Sequence, residues 1–398
     1  MTKRLISLGL LIFLGLTLGT ASSEALVRMF VPLSDFFWQW DPVIGMRLIP
    51  GKQGRSVKPG LYDVFVRVNS AGFRDRDHAV EKAPEKRRVA LIGDSVVEAL
   101  QVPFEDSITS VIQRNLEKSG TRSEVINFGV SGAGTAREYL TVREYALKFK
   151  PDLVLLFFVG NDFGDNTREL KGLSDIPYPQ TTGDGDLVLD ESGHPRFTAF
   201  EDQKSRFAGV TNPLRNYSKV YRLVRETVDT LPPVDQLWGS VFAKNTVAAA
   251  ANAAAEANLG LYEIYRRQPK REWLKAFRVT QQLLVALRNL TAENHAKFAV
   301  VMVPAAWEVY PDRWREVLDL TPGMHGADVD VEIPSRNLNQ YLSNNGVRVI
   351  DLLPEFRARA KDASPLYLHG DGHWTVGGHD FAAAVISREV EKILGSRP

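Results

Sequence analysis

The sequence predicts an α/β fold, in which helices cover both faces of a central, mainly parallel sheet of five strands. Short apolar segments alternate with segments of helical spacing along most of the 398 residues, which is the pattern of strand–helix–strand units. One apolar segment, Pro151–Val159, is hydrophobic on both of its faces, as a central parallel strand is. The chain is 44% hydrophobic and 24% charged, which excludes disordered, collagen-like and many-pass membrane proteins.

The charge balance and the lack of cysteine exclude further classes of function. There are 49 basic and 48 acidic side chains, so the formal net charge of +1 provides no broad basic surface for nucleic acid. The count of zero cysteines excludes disulfide scaffolds, thiolate zinc sites and cysteine nucleophiles. Catalysis therefore needs Ser, Thr, His, carboxylate, Lys or Tyr side chains, or a metal bound by His and carboxylate.

Residues 1–26 have the order of an export segment. Two cations, Lys3 and Arg4, precede the uncharged apolar run Leu5–Leu18, and small residues follow it. The run is shorter than the roughly 20 residues of a membrane span, and Glu24 interrupts its extension. A cleaved signal peptide and a retained anchor both remain open. Either one predicts that the body of the protein is exported to the periplasm or the cell exterior, and the anchor adds a membrane tether.

The remaining elements follow in order. Residues 27–85 form an irregular lead-in rich in Trp, Pro and Gly, with a short strand near Val64–Val68. Residues 86–398 form the α/β domain, with an insertion at about 164–295 whose first part, to about residue 245, loses periodicity. The predicted core strands are Arg87–Ile92, Glu124–Phe128, Pro151–Val159, Phe298–Val303 and Val347–Asp351. The predicted helices are Ser107–Glu117, Ala136–Lys148, Val247–Ala257, Glu272–Leu290 and Phe381–Leu394.

Polar or glycine-rich motifs follow the first three core strands. Asp94 and Ser95 come directly after the first strand, Gly132 lies in the loop after the second, and Asn161 follows the third. Active sites of open α/β sheets gather at the carboxyl ends of strands, where a backbone N–H or a side-chain amide can face an oxyanion. The structural alternatives are a helix N-cap at Asp94 or Ser95 and tight turns at the other two motifs.

A fourth motif, near the C-terminus, contains three histidines. His373 can act as a general base with Asp371 as the carboxylate that orients it. The alternatives are a structural histidine and a metal site formed by His369, His373 and His379. The spacing matches no established ligand pattern and no acidic ligands accompany it, so we expect neither a metal nor another cofactor.

These motifs together resemble the SGNH (GDSL-type) hydrolases. The four blocks occur in the order of that family: Gly93-Asp94-Ser95, Gly132, Gly160-Asn161-Asp162 and Asp371-x-His373. The resemblance covers about residues 86–169 and 296–396. It implies a flavodoxin-like, three-layer α/β/α fold with a Ser–His–Asp triad and esterase or acyl-transfer chemistry.

The resemblance also implies a role for each motif residue. Ser95 would be the nucleophile, His373 the base and Asp371 the residue that orients His373. The N–H groups of Ser95 and Gly132, together with the side chain of Asn161, would form the oxyanion hole.

Two departures from the family pattern affect the expected acceptor. Ala99 stands where the family has Gly, and the C-terminal block is Asp-x-His rather than Asp-x-x-His. The shorter spacing looks like a subset that includes periplasmic polysaccharide O-acetyltransferases of the alginate type. The segment Asn69–Asp75 looks like one that precedes this domain in membrane-anchored bacterial members.

Three functions remain open from the sequence. The first is a serine esterase that hydrolyses an acetyl or other short acyl ester, and the second is an O-acyltransferase acting on a cell-envelope or exported polysaccharide. The third is a non-catalytic carbohydrate-binding assembly protein. The expected partner is an ester substrate, with acetylated carbohydrate as one class, and no nucleic acid. Trp238, Trp307 and Trp314 could stack on sugar rings, although core packing is the alternative for each.

Overall fold

The computed structural model describes residues 2–201, 208–230, 262–321, 324, 326–361 and 365–395. The chain divides into two compact units. The smaller comprises residues 1–37, 54–65 and 204–246, and the larger comprises 38–53, 66–203 and 247–398. The predicted helix Val247–Ala257 and the side chain of Trp238 lie outside the described residues.

The described strands are short and lie mostly before residue 160. They are β1 (Trp38–Asp41), β2 (Gly45–Leu48), β3 (Gln53–Lys58), β4 (Tyr62–Arg67), β5 (Arg87–Gly93), β6 (Ser123–Asn127), β7 (Leu153–Phe158), β8 (Lys297–Met302) and β9 (Arg348–Asp351). The five predicted core strands are β5 to β9, with ends shifted by a residue or two.

The described α-helices alternate with the core strands from β5 onward. They are α1 (Thr2–Phe30), α2 (Ser95–Glu98), α3 (Ile108–Lys118), α4 (Thr135–Glu144), α5 (Asp162–Asp165), α6 (Arg168–Lys171), α7 (Ala208–Tyr217), α8 (Lys219–Thr230), α9 (Arg271–Glu293), α10 (Ala306–Val309), α11 (Pro311–Leu320), α12 (Ile333–Asn344), α13 (Leu353–Arg359) and α14 (Val376–Gly395). Short 3-10 helices occupy Phe104–Asp106, Ala146–Phe149 and Glu263–Tyr265.

The core of the larger unit is a five-stranded sheet with the strand order β6-β5-β7-β8-β9. Every neighbouring pair is parallel; Leu91 of β5, for example, lies opposite Asn127 of β6 and Leu155 of β7. Counted from β5, this is the order 2-1-3-4-5 of a flavodoxin-like fold. The predicted fold class is confirmed, and all five strands point their carboxyl ends to one edge.

Alternate residues of each strand face the two helical layers. Val89 and Leu91 belong to the core cluster that includes α3 and α14, whereas Ala90 and Ile92 belong to the cluster that includes α4, α9 and α12. The central strand β7 is buried along its whole length. Because both faces are covered, its sequence is continuously apolar rather than alternating, which is why it was predictable.

The predicted helix Glu272–Leu290 is α9, which lies at the end of the interval 164–295. Helix α9 packs against β8 and buries Leu284, Leu287 and Leu290 in the core. This helix is therefore a layer of the α/β fold rather than part of an excursion from it. Helices α7 and α8, in the smaller unit, also contradict the expected loss of periodicity before residue 245.

Helix α1, in the smaller unit, continues past the expected interruption at Glu24. The Glu24 carboxylate accepts hydrogen bonds from Ser218 Oγ at 2.9 Å and from the backbone N–H of Lys219 at 2.9 Å, which caps the start of α8. The polar residue thus has partners nearly 200 residues away, and the helix extends to Phe30. The segment Ile6–Phe30 is long and apolar enough to cross a membrane, and it is compatible with a signal or an anchor.

The lead-in before β5 is more regular than predicted. It contains four strands instead of one: β1 and β2 pair antiparallel, and β3 pairs with β4. In the larger unit, Phe73, Arg74 and Asp75 are buried against the domain. Arg74 donates to the carbonyl of Val102 at 2.5 Å, and Asp75 accepts the N–H of Asn127 at 2.8 Å. The lead-in therefore contacts the loops at the carboxyl ends of β5 and β6.

A buried histidine links the lead-in to the start of β6. His78 Nε2 lies 3.1 Å from Asp75 Oδ2, and His78 Nδ1 lies 2.8 Å from Glu124 Oε1. Glu124 also pairs with Arg88 at 2.7 Å. A carboxylate faces each ring nitrogen, so the imidazolium, with two N–H donors, satisfies both. Burial alone would lower the pKa of His78, but the hydrogen bonds and charges of Asp75 and Glu124 outweigh it and raise the pKa.

We predict that His78→Gln lowers the free energy of unfolding by about 1–3 kcal/mol at pH 5.5 and by less at pH 9. A raised folded-state pKa contributes stability that is fully present below the unfolded pKa of about 6.5. That stability is lost as the pH rises through the higher pKa of the folded state. Urea denaturation of wild type and variant across this range measures the difference. The exposed His369→Gln serves as the control, and a difference that grew with pH would contradict the prediction.

Candidate active site

The turn after β5 presents Ser95 at the start of the short helix α2. Asp94 caps this helix, because its Oδ1 accepts the N–H of Val96 at 2.9 Å. Gly93 leaves no space for a side chain, since a Cβ there would lie 2.6 Å from Cγ2 of Val97. The turn is therefore tight, and the Ser95 side chain stands at the carboxyl edge of the sheet. The alternative that Asp94 is a helix N-cap is therefore correct. The cap is the residue directly before Ser95.

Ser95, His373 and Asp371 form a continuous hydrogen-bonded row. Ser95 Oγ lies 2.9 Å from His373 Nε2, and His373 Nδ1 is hydrogen-bonded to Asp371 Oδ1. The side chain of Asp371 is 8% exposed, whereas that of His373 is 27% exposed. The carboxylate is thus shielded, and the imidazole stays accessible from the cavity. Such a row places a hydroxyl beside a side chain that can act as a base, and that side chain beside a carboxylate that can orient it.

The other two predicted residues lie in the same cavity. Gly132 and Asn161 line it together with Ser95, Asp371 and His373, and its volume is about 370 Å³. Gly132 has a φ of +67°, a left-handed conformation that favours glycine. The structure therefore brings all five sequence-predicted site residues around one space, at the point where the strand order reverses.

The amide of Asn161 is held by an acidic neighbour. Asn161 Nδ2 donates to Asp165 Oδ2 at 3.4 Å, and Asp165 Oδ1 pairs with Lys171 at 2.8 Å. Asp165 and Lys171 both line the cavity. Neither residue was predicted from the sequence. The spacing of four residues between Asn161 and Asp165 could have indicated their contact on one helical turn. Lys171 has no comparable signal, because it lies in the predicted insertion.

Aromatic side chains form another wall of the cavity. Trp307 and Tyr265 line it, and the Trp307 indole N–H donates to the Tyr265 hydroxyl at 2.8 Å, which fixes the indole orientation. Trp314 instead packs edge-on against Tyr265, with ring centroids 5.1 Å apart. Of the two described tryptophans considered for stacking, only Trp307 reaches this cavity. No sequence signal indicated Tyr265.

Ala99, the departure from the family pattern after the serine, adopts the conformation that glycine usually takes. Its φ is 55°, and the residue is fully buried. The carbonyl of Ala99 accepts a hydrogen bond from Arg74, which also donates to the carbonyl of Glu98 at 3.2 Å. Burial, the largest effect, lowers the pKa of Arg74 to about 10, so the guanidinium stays charged at neutral pH. The lead-in thus supplies a cation that holds the end of α2.

Several buried carboxyl groups lie at the cavity or behind it: Asp94 lines it, whereas Glu98, Glu138 and Asp162 do not. Burial raises the pKa of Glu98 to about 7 and that of Asp94 above its usual range. The pKa values of Glu138 and Asp162 are raised well above the ordinary range, first by burial and then by neighbouring carboxylates. The raised pKa values favour the neutral forms of Glu138 and Asp162, which avoids the cost of an unpaired buried charge.

The histidines of the C-terminal motif do not converge on one point. His379 is buried with its ring perpendicular to that of Trp374, and burial lowers its pKa to about 3, so it is neutral. His369 is exposed. Within the described ranges, no group of three or more His, Asp or Glu side chains is arranged to hold a metal ion.

Solved structures of several esterases resemble the chain at low sequence identity. A catalytic mutant of Axe2, an acetylxylan esterase from Geobacillus stearothermophilus, is 14% identical, with 78% of this chain and 96% of that chain covered and a TM-score of 0.39. A lipase/acylhydrolase from Enterococcus faecalis is 14% identical, with 77% and 96% covered and a TM-score of 0.37. The esterase EstA from a Pseudoalteromonas species is 9% identical, with 78% and 100% covered and a TM-score of 0.37.

Family models match the chain over most of the larger unit. No curated protein sequence matches it. The model of the SGNH hydrolase-like domain of the acetyltransferase AlgX matches residues 262–397, which include Asp371 and His373. The model of the GDSL-like lipase/acylhydrolase family matches residues 91–329, which include Ser95, Gly132 and Asn161. Because this second match spans more than half of the chain, the protein belongs to the GDSL-like lipase/acylhydrolase family.

Proposed function

We propose that the protein is a serine esterase that hydrolyses an acetyl or other short acyl ester. The observation that carries the proposal is the 2.9 Å contact between Ser95 Oγ and His373 Nε2, with Asp371 bonded to the other ring nitrogen. A serine hydroxyl is a weak nucleophile until an adjacent base takes its proton. The five residues at the cavity supply a nucleophile, a base, an orienting group and three hydrogen-bond donors.

The first half of the reaction forms an acyl-enzyme. His373 Nε2 takes the Ser95 proton while Oγ attacks the ester carbonyl carbon. The negative charge that develops on the carbonyl oxygen is stabilised by the N–H groups of Ser95 and Gly132 and by the amide of Asn161. The tetrahedral intermediate collapses, the C–O bond to the alcohol breaks, and the imidazolium returns its proton to the leaving oxygen.

The second half transfers the acyl group to water. His373 takes a proton from water, the hydroxide attacks the acyl carbon, and Oγ of Ser95 leaves with the proton that His373 returns. Asp371 keeps the ring in the orientation with its free Nε2 toward the serine and stabilises the imidazolium of both halves. Its carboxylate is shielded from solvent, which strengthens this interaction.

Acetylated carbohydrate is the substrate class that we favour. The cavity combines a fixed aromatic face at Trp307 with the polar side chains of Asp165 and Lys171. A sugar ring offers C–H faces to an aromatic ring and hydroxyl groups to charged partners. Export is consistent with this, because helix α1 can act as a signal or an anchor that leaves the body of the protein outside the cytoplasm.

An O-acyltransferase is the second candidate. The AlgX domain model covers the segment that contains Asp371 and His373, and the shortened Asp-x-His spacing lies within it. The chemistry is the same up to the acyl-enzyme, and only the acceptor differs: a polysaccharide hydroxyl replaces water. The third candidate, a non-catalytic carbohydrate-binding protein, would have an unreactive Ser95. Covalent labelling of this serine would therefore exclude it.

We predict that Ser95→Ala abolishes turnover of p-nitrophenyl acetate while the protein stays folded, because no other group at the cavity replaces the nucleophile. Initial rates measure turnover, and circular dichroism with thermal unfolding measures the fold. A fluorophosphonate should label wild type and not the variant. Ser119→Ala, which removes an exposed serine at the C-terminal end of α3, is the control for labelling. Retained turnover in Ser95→Ala, or no labelling of wild type, would overturn the assignment.

We predict that Asn161→Ala lowers kcat by roughly 100- to 1000-fold with little change in KM, because the amide stabilises charge that develops only in the transition state. Steady-state kinetics with p-nitrophenyl acetate provide both constants. Asn166→Ala is the control. It removes a nearby buried amide whose Nδ2 donates to Thr280 Oγ1 instead of facing the cavity. An Asn161 variant that changed KM alone would remove this residue from the oxyanion hole.

We predict that water is the preferred acceptor of the acyl-enzyme. Wild type is supplied with an acetyl donor and increasing concentrations of an oligosaccharide, and both free acetate and acetylated sugar are quantified. If water is the preferred acceptor, acetate release stays constant as the sugar concentration rises. Acetate release that falls in step with a rise in acetylated sugar would replace the esterase by the O-acyltransferase.

A further inference from the structure

The two backbone donors of the proposed oxyanion hole belong to different segments of the chain. Ser95 begins α2, after β5, whereas Gly132 lies in the loop after β6. An oxyanion is stabilised only when both N–H groups meet the same oxygen, so the distance between these segments has to be held closely. This inference rests on the proposed esterase function and concerns what holds the two segments together.

The backbones of α2 and the loop after β6 lie in close contact. A Cβ at Gly129 would lie 2.4 Å from the backbone nitrogen of Glu98, so only glycine allows this approach. Asn127 Nδ2 donates to the carbonyl of Val97 at 2.7 Å, and Val130 N donates to the carbonyl of Gly93 at 3.0 Å. These contacts bring the loop against the helix but end at Val130, two residues before Gly132.

From α2, one side-chain contact reaches the residue next to Gly132, while Arg137 of α4 donates to the carbonyl of Gly132 itself at 2.9 Å. The hydroxyl of Ser131 donates a hydrogen bond to Oε2 of Glu98, the last residue of α2. Glu98 is fully buried and is not among the residues that line the cavity. It therefore connects the two oxyanion segments from behind, without access to a substrate.

The groups around Glu98 favour its ionised form, although burial opposes it. Burial is the largest effect and raises the pKa of Glu98 to about 7, while the hydroxyl and backbone N–H of Ser131, the indole of Trp38 and the charge of Arg74 act in the other direction. Arg137, from α4, is a second cation whose charge interacts with Glu98. A carboxylate can accept several of these donors at once, whereas a neutral amide has a single acceptor oxygen.

We propose that Glu98 is a positioning residue, whose carboxylate holds Ser131 and thereby sets the Gly132 N–H at the correct distance from the Ser95 N–H. Glu98 acts through Ser131 and touches no reacting atom. Loss of the interaction displaces one oxyanion donor without altering the binding surface. The effect therefore falls on kcat and leaves KM nearly unchanged.

The test compares Glu98→Gln, Ser131→Ala and the double variant with wild type, using p-nitrophenyl acetate as the substrate. Glu124→Gln is the matched control, because it also neutralises a glutamate on the β6 side of the domain but belongs to the His78 network at the other end of that strand. Thermal unfolding of each variant shows whether it is folded. If Glu98→Gln fails to fold, Ser131→Ala tests the same contact from its other partner.

At pH 8 we expect kcat to fall about tenfold in both single variants, with KM within twofold of wild type. The double variant should fall no further than either single variant, because both remove the same interaction. Glu124→Gln should lower thermal stability and leave kcat unchanged. At pH 5.5 the ratio of wild-type to Glu98→Gln kcat should approach one, since the glutamine resembles the protonated carboxyl and the titration of His373 is common to both proteins.

Three results would overturn the inference. The first is an unchanged kcat in folded Glu98→Gln or Ser131→Ala, and the second is an equal loss of kcat in Glu124→Gln, which would indicate a general loss of stability. The third is additive losses in the double variant. These outcomes leave the esterase itself standing, because wild type still turns over the ester. A wild type that does not hydrolyse any short ester overturns the proposed function and this inference with it.

Discussion

The parallel alignment of the five core strands is the constraint on which the rest of the structure depends. In a parallel sheet every strand ends at the same edge, so loops that are far apart in sequence emerge side by side. Ser95, Gly132 and Asn161 each follow a different strand and meet at one cavity for this reason. The helices that return the chain to the start of each strand also bury both faces of the sheet, and this burial supplies the main stabilisation.

The lead-in completes this edge of the sheet instead of merely preceding it. Arg74 donates to the carbonyls of Glu98 and Ala99 at the end of α2, where no further helical turn could satisfy them. Asp75 accepts the N–H of Asn127, where β6 ends. A short charged segment thereby holds the two loops that carry Ser95 and Gly132, the proposed backbone donors, and its buried charges are tolerated because each has hydrogen-bond partners.

Buried carboxyl groups surround the cavity, and their surroundings give them different roles. Asp371 faces the imidazole of His373 and stays shielded from water. Asp94 caps a helix, whereas Asp165 holds the amide of Asn161 and pairs with Lys171. Each of these carboxylates is adjacent to a donor, and the donor determines what the group can do. The proposed chemistry of the cavity thus depends on the groups behind Ser95, His373 and Asn161 as well as on these three side chains.

The sequence by itself determined the fold class and the residues at the strand ends, because both are local patterns. A strand buried on both faces needs consecutive apolar residues, and a tight turn into a helix needs Gly and Asp at adjacent positions. Only the tertiary structure decided the contacts between distant segments: Glu98 with Ser131, Arg74 with α2, and Glu24 with the start of α8. These contacts depend on how the segments pack. A single buried charged or capping residue produces no periodic pattern in the sequence around it, so the sequence does not reveal its partner. The sequence predicts α9 as a helix within an insertion, and only its packing against β8 shows that it belongs to the core.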